Sequence, residues 1–210
     1  MKSAVVVVHG LYLNAFCTRL WQNHLRDAGY DAYGFEYDSF KNSLSDSAEK
    51  LAEYVSNIKN EQIFCVGHSL GGLLIMQMLK ELPDSRIRRL VLVGSPYQQS
   101  HVAGILSHSR VGRMIMGKAM LQWTLQGPVI PPPGVEVGVI AGKRPVGSGR
   151  LVAPGIPSPH DGTVAVAETA VPGMADRVVL PVTHTQMLFS RLVMRHMEYF
   201  LRNGFFERAA

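Results

Sequence analysis

The chain has little cysteine, few aromatic residues and little charge, and each scarcity removes a class of protein. Two cysteines in 210 residues cannot build a disulfide framework, and free thiols are expected at Cys17, near the start of a helical pattern, and at Cys65, inside an apolar run. No apolar stretch reaches the ~20 residues of a membrane-spanning helix. The first strand-like run begins within three residues of Met1, which leaves no room for the basic and apolar regions of a secretion signal, so a cytoplasmic location is expected. Charged residues make up 18% of the chain and the formal net charge is +5. The basic residues are scattered, with small clusters at Arg86, Arg88 and Arg89 and at Lys143, Arg144 and Arg150. No basic stripe is interleaved with stacking aromatics, so nucleic acid is not expected as a partner. Internal repeats and low-complexity tails are missing too. No His/Glu cluster has zinc-site spacing and there is no phosphate loop, so neither a metal nor an organic cofactor is expected.

What is present is an alternating pattern. With 47% hydrophobic content the chain can bury a substantial core, and nothing divides residues 1–210 into two domains. Apolar, β-branched runs at 3–8, 32–37, 62–66, 89–93, 135–141 and 177–182 are separated by segments long enough for helices. Strands joined by such crossovers pair in parallel and are buried on both faces, which suits the uninterrupted Ala4-Val5-Val6-Val7-Val8. Helices are expected over 18–28, stopped by Gly29; after a cap at Ser45 or Ser47, with Leu51, Tyr54, Val55 and Ile58 on one side; over 70–82, ended by Pro83; and over about 186–202, ended by Gly204.

One junction carries chemistry. The apolar run Ile63-Phe64-Cys65-Val66 breaks into Gly67-His68-Ser69-Leu70-Gly71 and continues at once as a helix, which is the context of a nucleophile elbow. Glycines flank the serine because a side chain at either position would meet the neighbouring strand and helix. Ser69 is therefore the candidate nucleophile, the bland alternative being an ordinary Gly-rich strand-to-helix turn. Among eight histidines, His184 directly follows the last strand, where parallel strand ends converge on one edge, and it is the candidate general base. His68 is expected to point away from the hydroxyl. Asp161, in the Pro- and Gly-rich loop after the fifth strand, is the candidate orienting carboxylate. Glu81 and Asp84 lie too near the far end of the elbow helix, and Asp176 sits at the start of a strand on the opposite edge.

On these residues the chain resembles the α/β-hydrolase superfamily, and within it the small bacterial lipases and esterases. The resemblance spans nearly the whole chain, through Val8-His9-Gly10-Leu11, Gly67 to Gly71, Asp161-Gly162-Thr163-Val164 and His184. It implies a three-layer α/β-hydrolase fold with a mostly parallel sheet of about six strands. It also implies an oxyanion hole formed by the backbone N–H groups of Leu11 and Leu70, and hydrolysis of acyl esters through an acyl-enzyme. No Gly-Gly-Gly motif is present, which argues against the hormone-sensitive-lipase-like esterases.

The partner implied is a small acyl ester. The segment at about 97–133 is rich in Met, Ile and Leu. It either covers an acyl pocket, with Met114 and Met120 as substrate-binding residues, or serves only as a crossover. A thioesterase or an acyltransferase would use the same residues, and a non-catalytic binding protein on the same fold is a further alternative. Nothing in the chain specifies an oligomeric state.

Overall fold

A computed structural model describes residues 2–147, 149 and 154–208, so Arg150 lies outside the described residues. Six strands, β1 (Ala4–Val8), β2 (Asp31–Phe35), β3 (Ile63–His68), β4 (Ile87–Val93), β5 (Glu136–Gly142) and β6 (Asp176–Leu180), form one sheet in the order β2-β1-β3-β4-β5-β6. Every neighbouring pair is parallel. All six correspond to runs legible in the sequence, and the sheet is parallel throughout.

Both faces of the sheet are buried, and β1 shows why its sequence is apolar without a break. Ala4, Val6 and Val8 point into one core with helices α2 (Leu44–Ser56), α3 (Leu70–Glu81) and α5 (Arg110–Gln126). Val5 and Val7 point into a second core with α1 (Arg19–Asp27) and the C-terminal helix α6 (Arg191–Asn203). Successive strand side chains alternate between faces, so a strand covered on both sides must be apolar at every position. Each large side chain buried this way contributes roughly 1.5–3 kcal/mol.

Two helix boundaries differ from the sequence expectation. The cap of α2 is Ser43 rather than Ser45 or Ser47: its hydroxyl accepts from the N–H of Asp46 at 3.0 Å, and the Asp46 carboxylate accepts from the N–H of Ser43. Ser47 turns its hydroxyl back to the Ser43 carbonyl and Ser45 reaches Glu81, so neither is free to cap. The last helix also starts later. Gln186–Leu188 form a separate 3-10 turn, and Ser190 then caps α6.

The segment between β4 and β5 folds into α4 (His101–Ser107) followed by α5, which is kinked at Gly117 (φ 68°, ψ 173°). Glycine is required there, because the dihedral is left-handed and a Cβ would press on the backbone of Phe40. Among the described residues no helix is long and apolar enough to cross a membrane.

Candidate active site

The chain leaves β1 toward β2 on one side and returns to β3 on the other, so the strand order reverses between β1 and β3. In an open parallel sheet that switch point leaves a crevice at the carboxyl ends of the strands. The turn after β1 (His9, Gly10, Leu11) and the turn after β3 (Ser69, Leu70) both lie there.

The turn after β3 is sharp. Ser69 has φ 51° and ψ −120°, a backbone conformation that costs a residue with a Cβ about 1–3 kcal/mol. Its N–H donates to the Val93 carbonyl at 2.9 Å, fastening the turn to β4. A Cβ at Gly67 would collide with the backbone of Gly72, and one at Gly71 with the carbonyl oxygens of Val8 and His9. Leu70 begins α3, so its N–H has no intrahelical acceptor.

Two loops meet over this turn. Asp161 is 1% exposed; its Oδ1 accepts from the N–H groups of Thr163 at 2.9 Å and Val164 at 2.7 Å, and its Oδ2 accepts from His184 Nδ1 at 2.7 Å. His184 lies four residues past the end of β6, in a loop tied by reciprocal side chain–backbone bonds between Thr183 and Gln186. Because the carboxylate takes a proton at Nδ1, Nε2 of a neutral His184 carries the lone pair and is the basic nitrogen.

His68, expected from the sequence to point away from the Ser69 hydroxyl, packs against His184. The two rings are 4.8 Å apart and His68 Nε2 lies 3.3 Å from the His184 carbonyl oxygen. Burial, with a smaller contribution from the nearby His184, pushes the His68 pKa down to about 3, so the ring is neutral and can donate from Nε2. Its position at the end of a strand buried on both faces was the available signal.

His9 is fully buried and stacks on Tyr37 with ring centroids 4.5 Å apart. Its Nδ1 is 2.9 Å from the Gly10 carbonyl, and the Tyr37 hydroxyl donates to the His9 carbonyl at 3.0 Å, which fixes the turn leading to Leu11. Glu168, which sequence reasoning missed, is a nearly buried carboxylate that accepts from the N–H of Ala165 at 2.9 Å and of His101 at 2.6 Å. It thereby ties the Asp161 loop to the first turn of α4. Burial pushes its pKa up.

The other candidates considered lie elsewhere. Asp176 opens β6 at the opposite edge and is bound to Phe206 and Arg208, and Asp84 is bound to Arg86. His160 uses Nδ1 to accept from the N–H of Gly162.

Ser69, His184, Leu11 and Leu70 all line one cavity of about 330 Å³. Val102, Ala103 and Leu106 of α4 and Ile115, Met116 and Met120 of α5 supply apolar wall. Of the two methionines expected there, Met120 is on the wall and 8% exposed, whereas Met114 is outside the cavity and 67% exposed. Met116 is on the wall instead, because residues 112 and 116 share the inward face of the first half of α5 while Met114 is on the outward one.

Residues 3–120 match the family described as the alpha/beta hydrolase fold. No curated protein matches the chain. Similar solved structures include the mature lipase BlEst2 of Bacillus licheniformis, at 17% identity and TM-score 0.68, covering 97% of this chain and 92% of that one. The RedJ thioesterase of the prodiginine pathway in Streptomyces coelicolor is similar at 15% identity and TM-score 0.65, covering 96% and 85%. A metagenomic carboxyl esterase, MGS0156, is similar at 17% identity and TM-score 0.66, covering 87% and 64%. At these identities the likeness is one of fold.

Proposed function

The chain belongs to the α/β-hydrolase family, and from that premise we propose that it is a serine hydrolase that cleaves small carboxylic esters through an acyl-enzyme. The observation that carries this reading is the 2.7 Å bond between His184 Nδ1 and the buried Asp161 carboxylate, at a cavity that Ser69 also lines. A buried carboxylate that spends one oxygen on two backbone N–H groups and the other on an imidazole is arranged to fix the ring and to stabilise its cation.

In the proposed reaction, His184 Nε2 takes the Ser69 proton as Oγ attacks the acyl carbonyl. The N–H groups of Leu11 and Leu70 hold the resulting oxyanion. His184 passes the proton to the departing alcohol, and the same nitrogen then deprotonates the water that releases the acid and restores Ser69. The apolar walls from α4 and α5 hold the acyl chain, with Met116 and Met120 able to repack around chains of different shape.

The test is a fluorophosphonate probe followed by mass analysis of the intact and digested protein. One adduct per chain, on Ser69 and lost in Ser69→Ala, is expected; no adduct on the folded protein overturns the serine mechanism. Turnover of matched oxygen esters and thioesters, with and without a competing alcohol, separates esterase from thioesterase and acyltransferase by product.

A further inference from the structure

From Ser85 to Val135 the chain carries no aspartate or glutamate, and within this acid-free segment α4 and α5 form one wall of the cavity and the outer surface beside it. The first half of α5 is turned inside out. Gly112 and Met116 face inward, while Val111 (62% exposed), Met114 (67%) and Ile115 (41%) present an apolar stripe to solvent, flanked on the same helix by the exposed Arg110 and Arg113. Neither arginine takes part in an ion pair among the described residues.

The stripe runs to the cavity mouth. Ile115 is both exposed and part of the cavity lining, and so is Tyr12. The Tyr12 ring packs on Phe40 with centroids 5.8 Å apart, and the Phe40 carbonyl accepts from the N–H of Lys118 at 2.9 Å, just beyond the kink of α5. Exposed apolar residues therefore continue around the mouth from α5 to Phe40 and Tyr12. An apolar patch of this kind marks an interaction surface; its α5 side is bordered by the cations Arg110 and Arg113, while Glu36 and Asp38 lie beside Tyr12 and Phe40 at its far end, Asp38 being paired with Lys41.

We propose that this cationic, apolar rim docks the protein on an anionic lipid surface, with the cavity mouth turned toward the lipid. The stripe would enter the boundary between headgroups and acyl chains while Arg110 and Arg113 meet lipid phosphates or carboxylates, the combination by which amphipathic helices bind membranes in the interface plane. A folded protein seated here would stop the cavity, whereas a fluid lipid surface satisfies the apolar and cationic groups and leaves apolar molecules free to pass Ile115 and Tyr12. That docking supplies the reaction with its ester rests on the proposed activity; the binding itself does not.

The experiment measures partition onto vesicles of phosphatidylcholine with 30% phosphatidylglycerol and onto vesicles of phosphatidylcholine alone, by co-sedimentation. Ser69→Ala protein is used so that the lipid cannot be consumed. Binding to the anionic vesicles is expected to fall steeply with salt. It should drop at least tenfold in Arg110→Glu/Arg113→Glu and in Val111→Ser/Met114→Ser, and change little in Lys59→Glu/Arg88→Glu, which makes the same charge change at the opposite edge of the sheet. On an otherwise wild-type chain, the rim variants should keep their turnover of a soluble ester and their melting temperature. Equal loss in the rim and control charge variants, equal binding to both kinds of vesicle, or no binding overturns the proposal. So does sedimentation showing a dimer that the rim variants disperse, since the rim would then be covered by a second chain. If vesicles bind but no ester is turned over, the docking stands and the esterase reading fails.

Discussion

His184 and Asp161 are joined twice. The ring Nδ1 donates to the carboxylate at 2.7 Å, and the backbone N–H of His184 donates to the Asp161 carbonyl at 2.9 Å. The loops after β5 and β6 are thus locked in register by a bond that no side-chain substitution removes.

Asp161→Asn should leave that backbone bond and the fold in place while removing the charge that orients His184. On the proposed mechanism the rate falls by roughly 10³- to 10⁴-fold near neutral pH with little change in KM. Asp84→Asn and Asp176→Asn should keep nearly full activity. Steady-state kinetics of the three variants decide the matter, and a large loss in either control with Asp161→Asn unharmed would reassign the acid.

Ser69 holds a left-handed backbone that only glycine adopts without strain. Both Ser69→Ala and Ser69→Gly should reduce ester hydrolysis by about 10⁴-fold or more. Only Ser69→Gly should also melt higher than Ser69→Ala, by relief of about 1 kcal/mol or more of backbone strain. Calorimetry of the two inactive variants is the check; equal melting points would mean the turn is not strained.

Acid stability should carry the signature of buried neutral histidines. His68 is pushed down to about 3 by burial, and burial also lowers His9 and His196. The unfolded chain takes up these protons below its ordinary histidine pKa near 6.5 while the folded chain refuses them. The stability that His68 contributes is therefore whole above pH 6.5 and is lost as pH falls toward 3, at up to about 1.4 kcal/mol per pH unit. Glu168, raised by burial, works in the opposite sense. Urea unfolding between pH 4.5 and 7 should show a slope that His68→Asn reduces by about one proton; an unchanged slope would place the uptake elsewhere.

The cavity wall makes a specific division among three methionines. Met116→Ala and Met120→Ala should shift the relative kcat/KM of octanoate over acetate esters by about tenfold, as methylene contacts are lost. Met114→Ala, which faces solvent, should change neither that ratio nor the melting temperature. A series of p-nitrophenyl esters from acetate to palmitate measures it. A lowered melting point with an unshifted chain-length profile for Met116 and Met120 would leave them a purely structural role.

The amino-acid sequence alone determined the features written in local pattern. β1, and β3 as far as Val66, are buried at every position and must be apolar throughout, and the other four strands, partly exposed at one or more positions, still carry apolar runs long enough to read. The turn after β3 announces itself because only glycine at positions 67 and 71 lets strand, helix and β1 pass so closely. The order of Ser69, Asp161 and His184 along the chain was equally legible. Tertiary structure decided what depends on direction rather than on identity. Ser43, not Ser45 or Ser47, caps α2 because packing and the Glu81 carboxylate engage the others. Met116 rather than Met114 reaches the cavity because α5 is rotated and kinked where Phe40 abuts Gly117. His68 meets His184 because two strand ends far apart in sequence converge on one edge. Periodicity reports that a helix has a buried face; which neighbour covers that face is set by long-range contacts that no local window of sequence contains.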